Sequence, residues 1–198
     1  MSQEERCVKA EQAALKALEI DEQLAEAHTS LALIQLDYHW DFAGAIKSFQ
    51  RAIELNPGYA MAHLWYTRYF WYTGGIDNAL NEMKQAFELD PLSPTINRNL
   101  GWTYFYARRY DEAIGVMQRA ITMYPDFPQL HLALSLAYLE KSMYEEALAE
   151  IKKEYSPSSP AIAYWTALIR ARMGHSNELK EYIEKLKKIG GLNKWPIL

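Results

Sequence analysis

The chain of 198 residues contains one cysteine, Cys7, so it can form neither an internal disulfide framework nor a cysteine-built zinc site. It lacks any run of eighteen apolar residues, the length a membrane-spanning helix requires. The opening MSQEERCVKAEQ is polar and charged and has no signal-peptide apolar segment. No Asn-x-Ser/Thr acceptor is present. The motifs His-Glu-x2-His, Gly-x4-Gly-Lys and Gly-x-Gly-x2-Gly are missing as well, so nothing marks a zinc protease, a phosphate loop or a dinucleotide site. An excess of positive charge is also lacking. Lys and Arg number 21 against 25 Asp and Glu, a net charge of -4, which gives no broad footprint for nucleic acid. The basic run KLKKIGGLNK near the end is short and reads as a solvated helix face. These absences lead us to expect a cytoplasmic protein with no membrane or nucleic-acid partner, no catalytic residues, no cofactor and no metal.

The chain does carry a strong period. Hydrophobic residues make up 49% and charged residues 23%, a composition that can build a core. Pro57, Pro91 and Pro125 recur every 34 positions, and Ala45, Ala79, Ala113 and Ala147 keep the same interval. Ala52, Ala86 and Ala120 each stand seven places after one of these alanines, with Phe49, Met83 and Met117 between. The aligned copies read GAIKSFQRAIELNPG, NALNEMKQAFELDPL and EAIGVMQRAITMYPD. A fourth, EALAEIKKEYSPS, loses its second alanine to Glu154. With Pro94 as position 1, Leu100, Gly101, Tyr104, Tyr110 and Ala113 fall at positions 7, 8, 11, 17 and 20.

This period, built on Ala-x3-Phe-x2-Ala-x4-Pro with Leu-Gly-x2-Tyr and Tyr-Asp-Glu-Ala before it, resembles the tetratricopeptide repeat. The tryptophan usual at position 4 is replaced by His28, His63, Asn97 and His131, which we read as packing substitutes. The resemblance implies an all-α, right-handed α-solenoid of helix–turn–helix units. Small residues at positions 8, 20 and 27 let paired helices approach, and large ones at 7, 11 and 24 fill between them. Proline ends each second helix, because the residue before it leaves the helical region.

The expected organisation is a second helix of a preceding partial repeat at 1–24, then repeats at 25–59, 60–93, 94–127 and 128–159. The first carries one extra residue in its DYHWDFAG turn. A degenerate fifth repeat follows at 160–189, with Gly174 at its turn and Leu179, Ile183 and Leu186 in packing places. Gly190-Gly191 stops the last helix, and 190–198 form a tail whose Trp195, Pro196, Ile197 and Leu198 could fold back as a cap. An opening half-repeat and the lack of a polar capping helix suggest a segment of a longer protein, or ends covered by self-association. The wording of the copies is also similar to tetratricopeptide regions appended to bacterial regulatory proteins of kinase, cyclase or winged-helix type.

The run HLWYTRYFWY, residues 63–72, holds six aromatic side chains in ten positions. At about 100° per residue, positions 4, 7, 8 and 11 share one packing face, which makes Tyr66 and Phe70 core. Tyr69 is expected to turn toward its own repeat's second helix, with Trp65 at the border. In the family that the chain resembles, positions 2, 5, 9, 12 and 13 line a concave ligand groove. The resemblance therefore implies a partner-binding groove of Arg68, Trp71, Tyr72, Arg98, Asn99, Trp102, Phe105 and Tyr106. Flanking repeats are blander, with Thr29, Leu33 and Leu36 on one side and Leu132, Leu136 and Leu139 on the other. Trp, Tyr and Arg dominate binding hot spots, yet groove aromatics can equally pack on one another. The family's two-carboxylate clamp is incomplete here, since Asn99 alone matches it. The reading is a non-enzymatic scaffold that binds a protein or peptide segment in the groove. The alternatives are a homo-oligomer formed through uncapped ends, or a regulatory segment of a larger multidomain signalling protein.

Overall fold

The computed structural model describes residues 2–154, 160–175, 177, 179–181, 183 and 184. Among them lie α1 (Gln3–Ile20), α2 (Ala25–Asp37), α3 (Phe42–Leu55), α4 (Ala60–Thr73) and α5 (Ile76–Leu89). After these come α6 (Pro94–Tyr106), α7 (Tyr110–Met123), α8 (Leu130–Glu140), α9 (Tyr144–Ile151) and α10 (Pro160–Arg172), and no described residue is in a strand. The expected stop at Gly190-Gly191, the tail at 190–198 and the packing of Leu186 lie outside the described residues.

The chain divides into two compact units, Met1–Arg109 and Tyr110–Leu198, and the division falls inside the expected third copy. In the first unit, α2 packs on α3 and α4 on α5, while α3 meets α4 and α5 meets α6. The first helices α2, α4 and α6 also touch in sequence as a row. In the second unit α7 packs on α8, α8 on α9 and α9 on α10.

Small residues make this pairing possible. Ala32 on α2 and Ala45 on α3 are wholly buried, as are Thr67 and Ala79 in the next pair and Ser135 and Ala147 in the second unit. The Ser135 hydroxyl donates directly to the Ala147 carbonyl at 2.8 Å, a bond only a close helix pair permits. Beside these contacts lie the large residues. Phe49, fully buried, stacks on Tyr66 with ring centroids 5.3 Å apart, and Leu36 completes the same cluster.

A second period emerges only in three dimensions. Trp40, Gly74, Arg108 and Ser142, which keep the same sequence interval as the prolines, all have positive φ, between 55° and 77°. Each sits in the turn between the two helices of a copy, and Gly174 takes the same role in the fifth with φ 99°. The residue after each reaches back to close the turn. Gly75 N–H donates to the Phe70 carbonyl at 3.0 Å, Arg109 to Tyr104 at 2.9 Å, and Met143 to Tyr138 at 2.9 Å, each five places back. Asp41 instead reaches six places back to Gln35 at 2.8 Å, so the extra residue of the first repeat is absorbed in this ring. The left-handed region costs an L-residue about 1–2 kcal/mol, and glycine fills it without that cost.

Three of the substitutes at position 4, His28, His63 and Asn97, share a further bond. His28 Nε2 lies 2.9 Å from the Glu22 carbonyl, His63 Nε2 3.1 Å from Pro57, and Asn97 Nδ2 donates to Pro91 at 2.8 Å. Each ties a first helix to the turn six places before it. These residues pack as the sequence suggests, and they also hold the entry turn.

Glu154, which breaks the alanine pattern of the fourth copy, is 8% exposed and caps α8. Its two carboxylate oxygens accept from the Gln129 and Leu132 backbone N–H groups, at 3.0 and 2.9 Å. Gln129 itself is left-handed with φ 69° and supplies no side-chain cap, so the glutamate satisfies donors that the helix start leaves open.

The turn strain and the Glu154 cap can each be read in stability. Ser142→Gly relieves a strained turn and should raise stability by about 0.5–1 kcal/mol, seen as a higher urea midpoint. Glu154→Ala leaves two helix-start donors without their charged acceptor and should cost about 1.5–3 kcal/mol, with faster amide exchange at the start of α8.

Candidate functional site

The aromatic run of α4 splits between two environments. Tyr66 is buried against Phe49, and Tyr69 and Phe70 pack half-buried into the same cluster. Tyr69 departs from expectation. Its ring meets Phe42 of the preceding helix α3 at 6.2 Å, a packing partner outside its own copy. The reason is angular: three places on from Tyr66, it lies on the neighbouring strip of the same helix face. Trp65, read as a border residue, packs into that cluster too.

The other side of α4 carries Arg68, Trp71 and Tyr72. Arg68 Nη1 pairs with Asp37 Oδ2 of α2 at 3.1 Å, and its Nε and Nη2 donate to the Tyr72 hydroxyl at 3.2 and 3.1 Å. The guanidinium also lies over the Tyr72 ring, 5.7 Å from its centroid, and the hydroxyl donates on to Asp37 Oδ1 at 3.4 Å. Burial pushes the Asp37 carboxyl above its ordinary value, against the pull of Arg68 and the Tyr72 hydroxyl. Desolvation thus outweighs the pull of both partners on the carboxyl's proton affinity.

A second group of rings adjoins the first. Trp71 meets Tyr106 of α6 at 5.1 Å, Tyr106 stacks on Trp102 at 5.9 Å, and Trp102 meets Phe105 edge-on at 5.6 Å. Burial, then Tyr72, push the Tyr106 phenol upward, with Arg68 opposing, so these three groups share one electrostatic neighbourhood. Trp71 Nε1 is buried and has no hydrogen-bond acceptor. Tyr72 and Tyr106 nevertheless remain 45% exposed. The rings therefore pack on one another and still offer faces to solvent.

The structure thus brings Arg68, Trp71, Tyr72, Trp102, Phe105 and Tyr106 together and treats the other two candidates differently. Asn99 is 7% exposed, and its amide donates to the Thr95 carbonyl at 2.8 Å within its own helix. Arg98 is half-buried, and desolvation draws its pKa down. Positions 5 and 12 turn inward more than the groove reading supposes. Thr29 and Leu64 at position 5 and Leu36 and Leu139 at position 12 are buried, and Trp71 and Phe105 are half-buried. On a helix, position 12 lies about 40° from the buried small residue at position 8, whereas position 13 lies about 140° from it. Position 13 is the open one, with Asp37, Tyr72, Tyr106 and Glu140 exposed, while position 9 is half-buried at Leu33, Arg68 and Trp102 and buried at Leu136.

Trp40 is the member that sequence reasoning passed over. It sits in the α2–α3 turn at φ 55°, is 64% exposed, and lies 6.1 Å from the Tyr72 ring and 6.2 Å from Phe42. Its only sequence signal was its place in the lengthened DYHWDFAG turn. A bulky residue held at positive φ and left open to water is an outlier of the kind found at functional sites. Among the described residues no helix is long and apolar enough to cross a membrane, and no three His, Cys, Asp or Glu side chains group as metal ligands.

Residues 67–126 and 98–162 match the family model described as tetratricopeptide repeat. No curated protein matches the sequence. Among solved structures, PilW, a widely conserved type IV pilus biogenesis factor, superposes with TM-score 0.79 at 19% identity, over 94% of this chain and 87% of that one. A thermophilic TPR protein from Thermus thermophilus gives TM-score 0.70 at 23% identity, over 82% and 90%. YrrB, a TPR protein with an unusual peptide-binding site, gives 0.62 at 17%, over 89% and 92%. At these identities the likeness speaks to the fold, an all-α right-handed solenoid of helix–turn–helix repeats.

A double-mutant cycle checks the Asp37–Arg68 reading. Arg68→Met alone removes the partner of a carboxylate still open to solvent and should cost about 0.5–1 kcal/mol. In an Asp37→Asn background the same change should cost under about 0.5 kcal/mol, both read by urea unfolding.

Proposed function

The chain is a tetratricopeptide-repeat protein, and from that premise we propose that the face carrying Trp40, Arg68, Tyr72, Trp102 and Tyr106 binds a peptide or protein segment. The fold is that of protein-interaction scaffolds, generally non-enzymatic modules. The observation that carries the reading is the exposure of Trp40, Tyr72 and Tyr106, at 64%, 45% and 45%, beside an arginine already ordered by Asp37. Exposed aromatics offer large contact area at a cost of only two side-chain torsions each, which suits a binding surface. Fixing Arg68 in advance removes part of the entropy that a partner would otherwise have to offset. YrrB, whose fold this chain shares, is described as having an unusual peptide-binding site, which supports the class of ligand but not its sequence.

Peptides selected from a random display library on the wild-type chain provide the test. Tyr72→Ala with Tyr106→Ala should weaken the selected peptides by about 30-fold or more, the loss of at least one hot spot. The variant's circular dichroism and thermal midpoint must stay close to wild type. Equal affinity in a folded double variant would remove the face from consideration.

A second reading, self-association, has one observation in its favour. On α1, Val8, Leu15 and Ile20 are 39%, 45% and 81% exposed. If α1 forms a self-interface, light scattering should show a mass above the monomer that falls with Leu15→Glu and is indifferent to the Tyr72 and Tyr106 changes. A monomer at all concentrations would end this reading.

A further inference from the structure

His63 stands in the first turns of α4, 7% exposed, and both of its ring nitrogens face acceptors. Nδ1 lies 2.7 Å from Glu82 Oε2 on α5, and Nε2 lies 3.1 Å from the Pro57 carbonyl in the preceding turn. A neutral imidazole carries a single N–H and can serve only one of them, whereas the imidazolium serves both. The next copy shows the uncharged solution at the same place. Asn97 donates its two amide hydrogens to the Pro91 and Ser93 carbonyls, at 2.8 and 2.9 Å. The pairing of positions 4 and 23 recurs in the second unit, where His131 Nδ1 lies 2.7 Å from Glu150 Oε2 and Lys153 holds the other carboxylate oxygen at 2.8 Å.

We propose that His63 is a pH-dependent lock: as an imidazolium it joins α4 to α5 and to the Pro57 turn, and loss of its proton to solvent releases one of the two bonds. The helix it holds is the one that carries Arg68, Trp71 and Tyr72, so the lock also governs how firmly the aromatic face is presented. Glu82 from α5 is the ionisable group that acts on the ring. On α4 the Tyr66 phenol lies in the field of the same carboxylate, while Glu26 of α2 acts on Tyr59. The Glu82 hydrogen bond raises the His63 pKa above 6.5, burial opposes it, and the Pro57 carbonyl adds to the rise. A raised histidine stabilises fully below the unfolded value of about 6.5, and its contribution is lost as pH climbs through the folded value.

Nitrogen NMR of histidine-labelled full chain, with His63→Asn to assign the signal and Glu82→Gln as a second variant, tests this. The expected result is a His63 ring that titrates above ~6.5, protonated on both nitrogens at pH ~6, and that titrates lower in Glu82→Gln. The wild-type advantage in thermal midpoint over His63→Asn should narrow by about 2–4 °C between pH ~6 and ~8.5. A neutral tautomer at pH ~6.5, or an advantage that does not change with pH, overturns the lock. Its effect on binding rests on the proposed face. A selected peptide should lose affinity toward pH ~8.5 for wild type and not for His63→Asn. Affinity that is equal at both pH values overturns the coupling and leaves the face standing. Peptides indifferent to Tyr72 and Tyr106 overturn the face and leave the NMR result intact.

Discussion

Close approach of paired helices is the constraint that governs everything else in the chain. Ala32 clusters with Ala45 of α3, the Ser135 hydroxyl reaches the Ala147 carbonyl of α9, and Thr67, like both, is wholly buried in its first helix. Helices this near to each other set the angle at which large residues such as Phe49 and Tyr66 can meet. They also leave a fixed, narrow strip of each first helix facing away from its partner. The candidate face takes Arg68, Tyr72, Trp102 and Tyr106 from that strip, with Trp40 beside Tyr72 from the α2–α3 turn.

The turns impose the second constraint. A left-handed residue at Trp40, Gly74, Arg108 and Ser142, spaced at a constant interval, reverses the chain between paired helices, whatever the side chain there. Gly74 adopts it at no steric cost, whereas Trp40, Arg108 and Ser142 adopt it under strain. For Trp40 the strain has a consequence. It lifts an indole into solvent beside Tyr72, at the edge of the arginine network. A local backbone requirement of the repeat thereby adds a member to the candidate site.

Polar groups in the repeat do more than substitute for missing apolar ones. His63, Asn97 and His28 each tie a helix to its entry turn, and Glu154 caps α8 from a place where the pattern calls for alanine. Read as lost consensus residues, they mark degeneracy. Their hydrogen bonds show that each exchanges some apolar packing for the satisfaction of backbone groups that a helix end leaves unmet.

Residue type alone was enough for the helical class, the repeat, and the burial of alanines and large residues at set places. The long period of the repeat and the short period of the helix are both written directly in the order of residues. The same order singled out most of the aromatic face, since position in the repeat fixes direction around the helix to within one place. That margin is where it ran out. Position 12 turned inward and position 13 outward, Tyr69 faced α3, and Asn99 spent its amide on its own backbone. Those outcomes needed the packed helices, as did the Asp37–Arg68–Tyr72 network, the exposed strained Trp40 and the doubly bonded His63. They depend on which residues of other helices and turns come within hydrogen-bond range. A linear pattern holds no distance between His63 and Glu82, or between Asp37 and Tyr72, until the intervening chain has folded.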